Sequence, residues 1–182
     1  LGRILSSGRR MATMIEQLLD FTRARSGGGI AVVAQPTNLA DLCHQVVGEL
    51  EIANPGWTIE CRIVGDQSAV LDPDRMLQVV SNLVANAGQH GTQNTPIEVR
   101  LDGTAGDELR LEVHNHGAIP PTLLPHLFDP FRSTRHQQDQ ARGLGLGLFI
   151  VRHVVEAHGG VVDVRSRADE GTTFTIRLPR AR

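Results

Sequence analysis

Asn82, Asn86, Gln89 and His90 lie within one short segment, and at about 100° of rotation per residue a helix gathers them on one face. Amide carbonyl oxygens in such a row suit Mg²⁺, a hard ion that keeps several waters and binds through few protein ligands plus substrate phosphates. The N–H groups beside them suit phosphate itself. Taken alone, the row could equally be a solvated polar face, because exposed Asn and Gln are common. A second feature favours the chemical reading. Gly143, Gly145 and Gly147 alternate with Leu144, Leu146 and Leu148 where a polar stretch meets an apolar helix. Free backbone N–H groups there meet the positive end of a helix dipole, which makes a phosphate cradle. Glycine lets the backbone approach a ligand closely, and the interleaved leucines can anchor the loop to the core. No Gly-Lys-Ser/Thr follows, and the third glycine comes one position early for a dinucleotide fingerprint.

Asn115 and Gly117 sit where a strand ends in a turn. An Asn side chain in that place can offer an adenine edge both an acceptor and a donor. The neighbouring His114 and His116 share a strand face, but with no third ligand nearby in sequence a metal site there is not expected. Arg132 follows the run Phe128, Asp129, Pro130, Phe131. It reads either as a phosphate clamp, since a guanidinium matches phosphate oxygens, or as a surface arginine.

The elements that must position these groups are readable from caps and periodicity. Asp72 as N-cap, Pro73 at the first helical position and Asp74 at the dipole's positive end predict a helix running to about His90, with Met76, Val80, Leu83, Val84 and Ala87 on its buried face. Further helices are expected over residues 38–53 and 146–158, with a short one over 123–127. Strands are expected over 30–35, 57–64, 69–71, 96–101, 108–114, 161–165 and 173–178, the fourth and fifth joined through Asp102 and Gly103. This order gives an α/β two-layer sandwich: a mixed sheet with helices packed on one face. The polar stretch 133–142 cannot bury anything and reads as a lid.

At the N-terminus, Ile4, Gly8, Met11, Ile15, Leu18 and Thr22 form the stripe of an amphipathic helix that needs a partner, and the glycines at 27–29 end it. The expected organisation is therefore a helix over residues 1–26, a glycine-rich joint and first strand over 27–36, and the main domain over 37–182.

Eighteen Lys and Arg against 20 Asp and Glu leave no electrostatic footprint for nucleic acid or an anionic membrane. Two cysteines without ligand spacing argue against a disulfide framework or zinc knuckle and fit a reducing, cytoplasmic setting. No apolar run approaches the roughly 18 residues of a membrane-spanning helix, a statement about this piece and not about a membrane-anchored parent. Starting in mid-helix without Met, the chain is expected to be part of a longer protein.

Taken in order, these segments resemble the ATP-binding domain of sensor histidine kinases, within the wider family shared with gyrase, Hsp90 and MutL. Residues 81–90 look like an N box, 115–117 like a G1 box, 128–131 like an F box and 143–147 like a G2 box, and Gly171, Thr172, Thr173 and Phe174 complete the set. The N-terminal helix is similar to the second helix of the kinase dimerization hairpin. The resemblance implies a Bergerat-type fold that binds ATP and Mg²⁺. Asn86 would coordinate Mg²⁺, with Asn82 and His90 near the phosphates, Asn115 and Thr172 at adenine, and the glycine triplet around the triphosphate. The implied activity is that of a protein-histidine kinase serving a two-component system. By the same resemblance its acceptor histidine would lie on an upstream helix of the same protein, a response regulator would follow, and the parent would be a homodimer; a fragment with half a hairpin is expected to be a monomer.

Three departures accompany the resemblance. Asn115 stands where the family usually has Asp. Gln89 occupies a position often held by a phosphate-binding Lys, and the G1 box is one residue short; together with Asn115 these point to modest nucleotide affinity. Finally, no histidine of this sequence has the setting of a phosphoacceptor, so the chain alone is not expected to autophosphorylate. Hydrolysing relatives carry a Glu general base at the place of Asn82, so an amide there suits transfer to a protein acceptor. The rival readings are an ATPase of the same superfamily and a binding module without kinase activity.

Overall fold

The computed structural model describes residues 2–131 and 144–180, and within the first helix it describes side chains from Met11 onward. Arg132, Gly143 and the expected lid over 133–142 thus lie outside the described residues. The chain forms α1 (Gly2–Arg25), β1 (Gln35–Asn38), α2 (Leu39–Ala53), β2 (Ile59–Gly65), β3 (Ser68–Leu71), α3 (Pro73–His90), β4 (Ile97–Gly103) and β5 (Glu108–Asn115), then a 3₁₀ turn (Leu124–His126), α4 (Gly147–Ala157), β6 (Val161–Arg167) and β7 (Gly171–Pro179).

Five strands make one mixed sheet in the order β2-β4-β5-β7-β6, parallel only between β2 and β4. Period-two alternation turns Ile97, Val99, Leu101, Leu109, Leu111, Val113, Phe174, Ile176 and Leu178 to a single buried face. Onto it α3 lays Met76, Val79, Val80, Leu83, Val84 and Ala87, each 0% exposed. Leu39, Cys43, Val46 and Val47 of α2 and Ile150, Val151, Val154 and Val155 of α4 complete the core. The opposite face of the sheet carries charge, with cross-strand pairs such as Arg177 with Asp163 at 2.5 Å.

The start of α3 is tied down from three sides. Asp72 Oδ1 accepts the Arg75 N–H at 3.1 Å and Oδ2 accepts the Val33 N–H at 2.7 Å. The Asp72 N–H donates to His158 Nε2 at 3.0 Å, while His158 Nδ1 lies 2.8 Å from the Val154 carbonyl. Because a backbone N–H only donates, Nε2 must accept and Nδ1 carries the proton.

Two local expectations are corrected. The first strand spans Gln35–Asn38, not 30–35: Ile30 turns into the core and the Val33 N–H is committed to Asp72, so ladder pairing with β3 begins at Gln35 opposite Leu71. Asp102 and Gly103 continue β4, because parallel pairing with β2 runs on to Gly65 opposite Gly103. The turn falls at residues 104–107, and Asp102 Oδ1 opens it by accepting the Thr104 N–H at 2.9 Å.

α1 divides into two parts. Its end docks on the domain: the Phe21 ring meets Phe131 at 4.9 Å and Phe149 at 5.5 Å, both edge-on. Asp20, 3% exposed, accepts from Arg75 Nη1 at 2.8 Å and Gln78 Nε2 at 3.2 Å. Upstream, Met11, Ile15 and Leu18 stay 62%, 58% and 47% exposed.

Burial, helped by the nearby Cys61, pushes the Cys43 thiol up from 9.0 to about 12. The folded chain therefore keeps a proton that the unfolded thiol releases above about 9, so this contribution to stability is complete below that pH and is lost as pH rises towards 12. Urea midpoints are expected to fall from pH 9 to 11, and less steeply in Cys43→Ala; equal slopes would exclude the thiol as the cause.

Candidate functional site

The end of β5 and the end of α3 meet. Asn115 is the last residue of β5 and 3% exposed; its side chain makes no hydrogen bond to any described residue, and its amide atoms are not sealed from solvent. Thr172, its register partner on β7, is 2% exposed. A relay locks the turn between them. Ile119 N–H donates to Ser166 Oγ at 2.7 Å, Ser166 Oγ lies 2.7 Å from Thr172 Oγ1, and Thr172 Oγ1 donates to the Gly117 carbonyl at 2.5 Å. The backbone passes so close here that a Cβ on Gly117 would collide with the His90 carbonyl and come within 2.9 Å of Asn115 Nδ2. The Thr92 N–H completes the junction, donating to the His116 carbonyl at 2.6 Å.

At the other end of the same helical face, Asn82 reaches α4. Its Nδ2 donates to the Gly147 carbonyl at 3.4 Å, and a Cβ on Gly147 would stand 3.4 Å from Asn82 Oδ1. Asn86 and Gln89 lie between the two ends, half-buried, and Asn86 makes no hydrogen bond to any described residue. From Asn82 to His90 is about two turns, or ~12 Å of helix axis. Gly145 has φ +68°, a left-handed turn that favours glycine. Its carbonyl accepts the Phe131 N–H at 3.0 Å, which joins the Phe128–Phe131 turn to the glycine loop. Leu146 is fully buried and anchors that loop, whereas Leu144 is 36% exposed.

Thus Asn82 meets Gly147 at one end of this helical face, the His90 backbone meets Gly117 beside Asn115 and Thr172 at the other, and Asn86 and Gln89 lie on the helix between. Sequence reading missed Ser166 and the cluster of buried Asp20 with half-buried Arg75 and Gln78. Ser166 and Asp20 act on partners 47 and 55 residues away, so no local spacing marks them. A cleft of about 640 Å³ between α1, α2 and α3 also runs up to Ser81 and Asn82.

The donor set fits a nucleotide at both ends: a nearly buried amide with unused donor and acceptor, and hard oxygens beside the first turn of a helix. This sandwich and the boxes on it define a class of ATP-binding domain. Residues 71–182 match the family described as Histidine kinase-, DNA gyrase B-, and HSP90-like ATPase, and the chain belongs to that family.

The bacteriophytochrome of Pseudomonas aeruginosa is 40% identical over 178 residues, covering 97% of this chain and 24% of the relative. The sensor histidine kinase TrcS of Mycobacterium tuberculosis is 32% identical over 188 residues, covering 98% and 36%. The solved catalytic domain of the histidine kinase ThkA, in a nucleotide-free form, superposes with TM-score 0.70 at 27% identity, over 82% of this chain and 97% of that one. In fold and sequence the chain is an ATP-binding catalytic portion of the histidine kinase kind, and it spans about a quarter to a third of the length of the curated relatives it matches. Among the described residues no helix is long and apolar enough to cross a membrane.

Proposed function

We propose that this chain binds Mg-ATP and transfers the γ-phosphoryl group to a histidine on an upstream helix of its parent protein, from which a response regulator receives it. The observation that carries this reading is Asn115, a residue 3% exposed whose amide has no partner among the described residues and is not sealed from solvent; its donor and acceptor are thus both available to a ligand. Asn115 and Thr172 hold adenine, and Asn82, Gln89 and His90 lie along the phosphates. Gly145 and Gly147 border them, and Gly143 and Arg132, which lie outside the described residues, are assigned to the same phosphates by sequence alone. Asn86 holds Mg²⁺, which neutralises charge on the phosphates when bound. Asn82 cannot take a proton from water as a carboxylate would, so the site positions the γ-phosphorus for attack by an imidazole nitrogen as the bond to ADP breaks. The exposed stripe of Met11, Ile15 and Leu18 is the face expected to meet the rest of a dimeric helical hairpin.

The test is to supply γ-labelled Mg-ATP and a separately produced acceptor hairpin. Label on its histidine supports the reading. Binding without transfer supports a non-kinase module, and steady phosphate release an ATPase.

Gly147→Ala is expected to leave the thermal midpoint unchanged or higher, because its Cβ meets Asn82 at 3.4 Å or more, an ordinary contact, and Ala is the better helix former. Nucleotide affinity is expected to fall about tenfold, since that methyl occupies the approach to the helix N-terminus. Unchanged affinity by calorimetry would remove Gly147 from the cradle.

A further inference from the structure

On the solvent face of the sheet, behind Asn115, the register sets Glu98 of β4 opposite His114 of β5, and His116 follows just past the strand. One ligand atom from each, a carboxylate oxygen and two imidazole nitrogens, lies within 4.8 Å of the other two. The two rings meet edge-on with centroids 5.2 Å apart. Sequence neighbourhood supplies only the two histidines; the third ligand comes from across the strand pair.

We propose that Glu98, His114 and His116 form a binding site for a divalent transition-metal ion of the Zn²⁺ or Ni²⁺ kind, separate from any Mg²⁺ that accompanies nucleotide. Two imidazoles and one carboxylate suit borderline ions, whereas Mg²⁺ and Ca²⁺ take oxygen ligands. Three protein ligands leave coordination positions open to water. His114 is already oriented: its Nδ1 lies 2.9 Å from Thr173 Oγ1, which leaves Nε2 as the ligating atom. A hydrogen-bond partner on the far ring nitrogen is the usual support of a metal-ligating histidine. His116 is held at its carbonyl by the Thr92 N–H at 2.6 Å, while the residue is exposed, so its ring has room to swing in to bonding distance. Against the ion stands Arg100, which pairs with Glu98. That guanidinium is 52% exposed and solvent-screened, and a carboxylate keeps a second oxygen free to ligate.

The site requires no nucleotide, so its test is independent of the kinase reading. The metal-free chain is titrated with ZnCl₂, NiCl₂ and MgCl₂ by calorimetry. Saturable binding of one Zn²⁺ or Ni²⁺ per chain is expected, with none for Mg²⁺. Glu98→Gln and His116→Ala, folded by circular dichroism, should each weaken it at least about tenfold. His44→Ala, at an exposed position on α2, should leave it unchanged. Equal affinity in the first two variants, loss of binding in the third, or no saturable Zn²⁺ binding below about 1 mM would overturn the proposal.

Discussion

Asn86→Ala is expected to slow phosphoryl transfer about 100-fold or more while leaving the fold as stable as before. The separation follows from where Asn86 stands. Its neighbours Leu83, Val84 and Ala87 are fully buried and carry the packing of α3, whereas Asn86 is half-buried and bonded to no described residue. Ala removes no side-chain hydrogen bond to a described residue and has the higher helix propensity, so stability should move by no more than about 0.5 kcal/mol. What it removes is the oxygen proposed to hold Mg²⁺, and losing one pre-organised electrostatic contact at a reacting centre costs ~100–1,000-fold in rate. Single-turnover transfer to a supplied acceptor hairpin measures the rate. Nucleotide titrations with and without Mg²⁺ give the second readout: wild type should bind more tightly with the ion, the variant should not. A variant that kept the full Mg²⁺ dependence would move the metal away from Asn86.

What could be read from sequence divides along a physical line. α3 was legible to the residue because Asp72, Pro73 and the apolar period act within one or two turns. The strands were legible where alternation was local. The errors fall where a distant partner decides: Val33 looks like strand until Asp72 takes its N–H, and Gly103 looks like a turn until β2 pairs with it. In the candidate site the residue types along α3 and in the glycine loop were visible, but the meeting of Asn82 with Gly147 across 65 positions was expected only through the family resemblance, not from local spacing.

The N-terminal helix shows the same division within one element. Its apolar stripe announced a partner without saying which. Phe21 and Asp20 find theirs in Phe131, Phe149, Arg75 and Gln78, while Met11, Ile15 and Leu18 remain open. Phe131 also donates its N–H to Gly145. The end of α1 thus packs on the turn that latches the glycine loop, and a shift of α1 would be felt at the proposed phosphate end.

Asn115→Asp is expected to raise the preference for ATP over GTP about 10- to 100-fold. A carboxamide has two faces of opposite sense. In one orientation its oxygen accepts from the adenine amino group while its nitrogen donates to the adjacent ring nitrogen. Turned over, the nitrogen donates to guanine O6 and the oxygen accepts the ring N–H. Asn115 is not held in either orientation by any described residue, so no described hydrogen bond fixes which base it prefers. A carboxylate only accepts. It strengthens the bond to the adenine amino group, charge-assisted bonds being roughly twice as strong as neutral ones, and it faces guanine O6 with a repelling lone pair. An unpaired polar group in so buried a place costs ~1–3 kcal/mol, the tenfold to hundredfold expected. Burying a carboxylate at a position 3% exposed also weakens the nucleotide-free fold. That cost enters both affinities equally and drops out of their ratio, so the ATP-to-GTP ratio, and not either affinity alone, is the quantity to measure in both proteins. Ratios within threefold of each other would place the base away from Asn115.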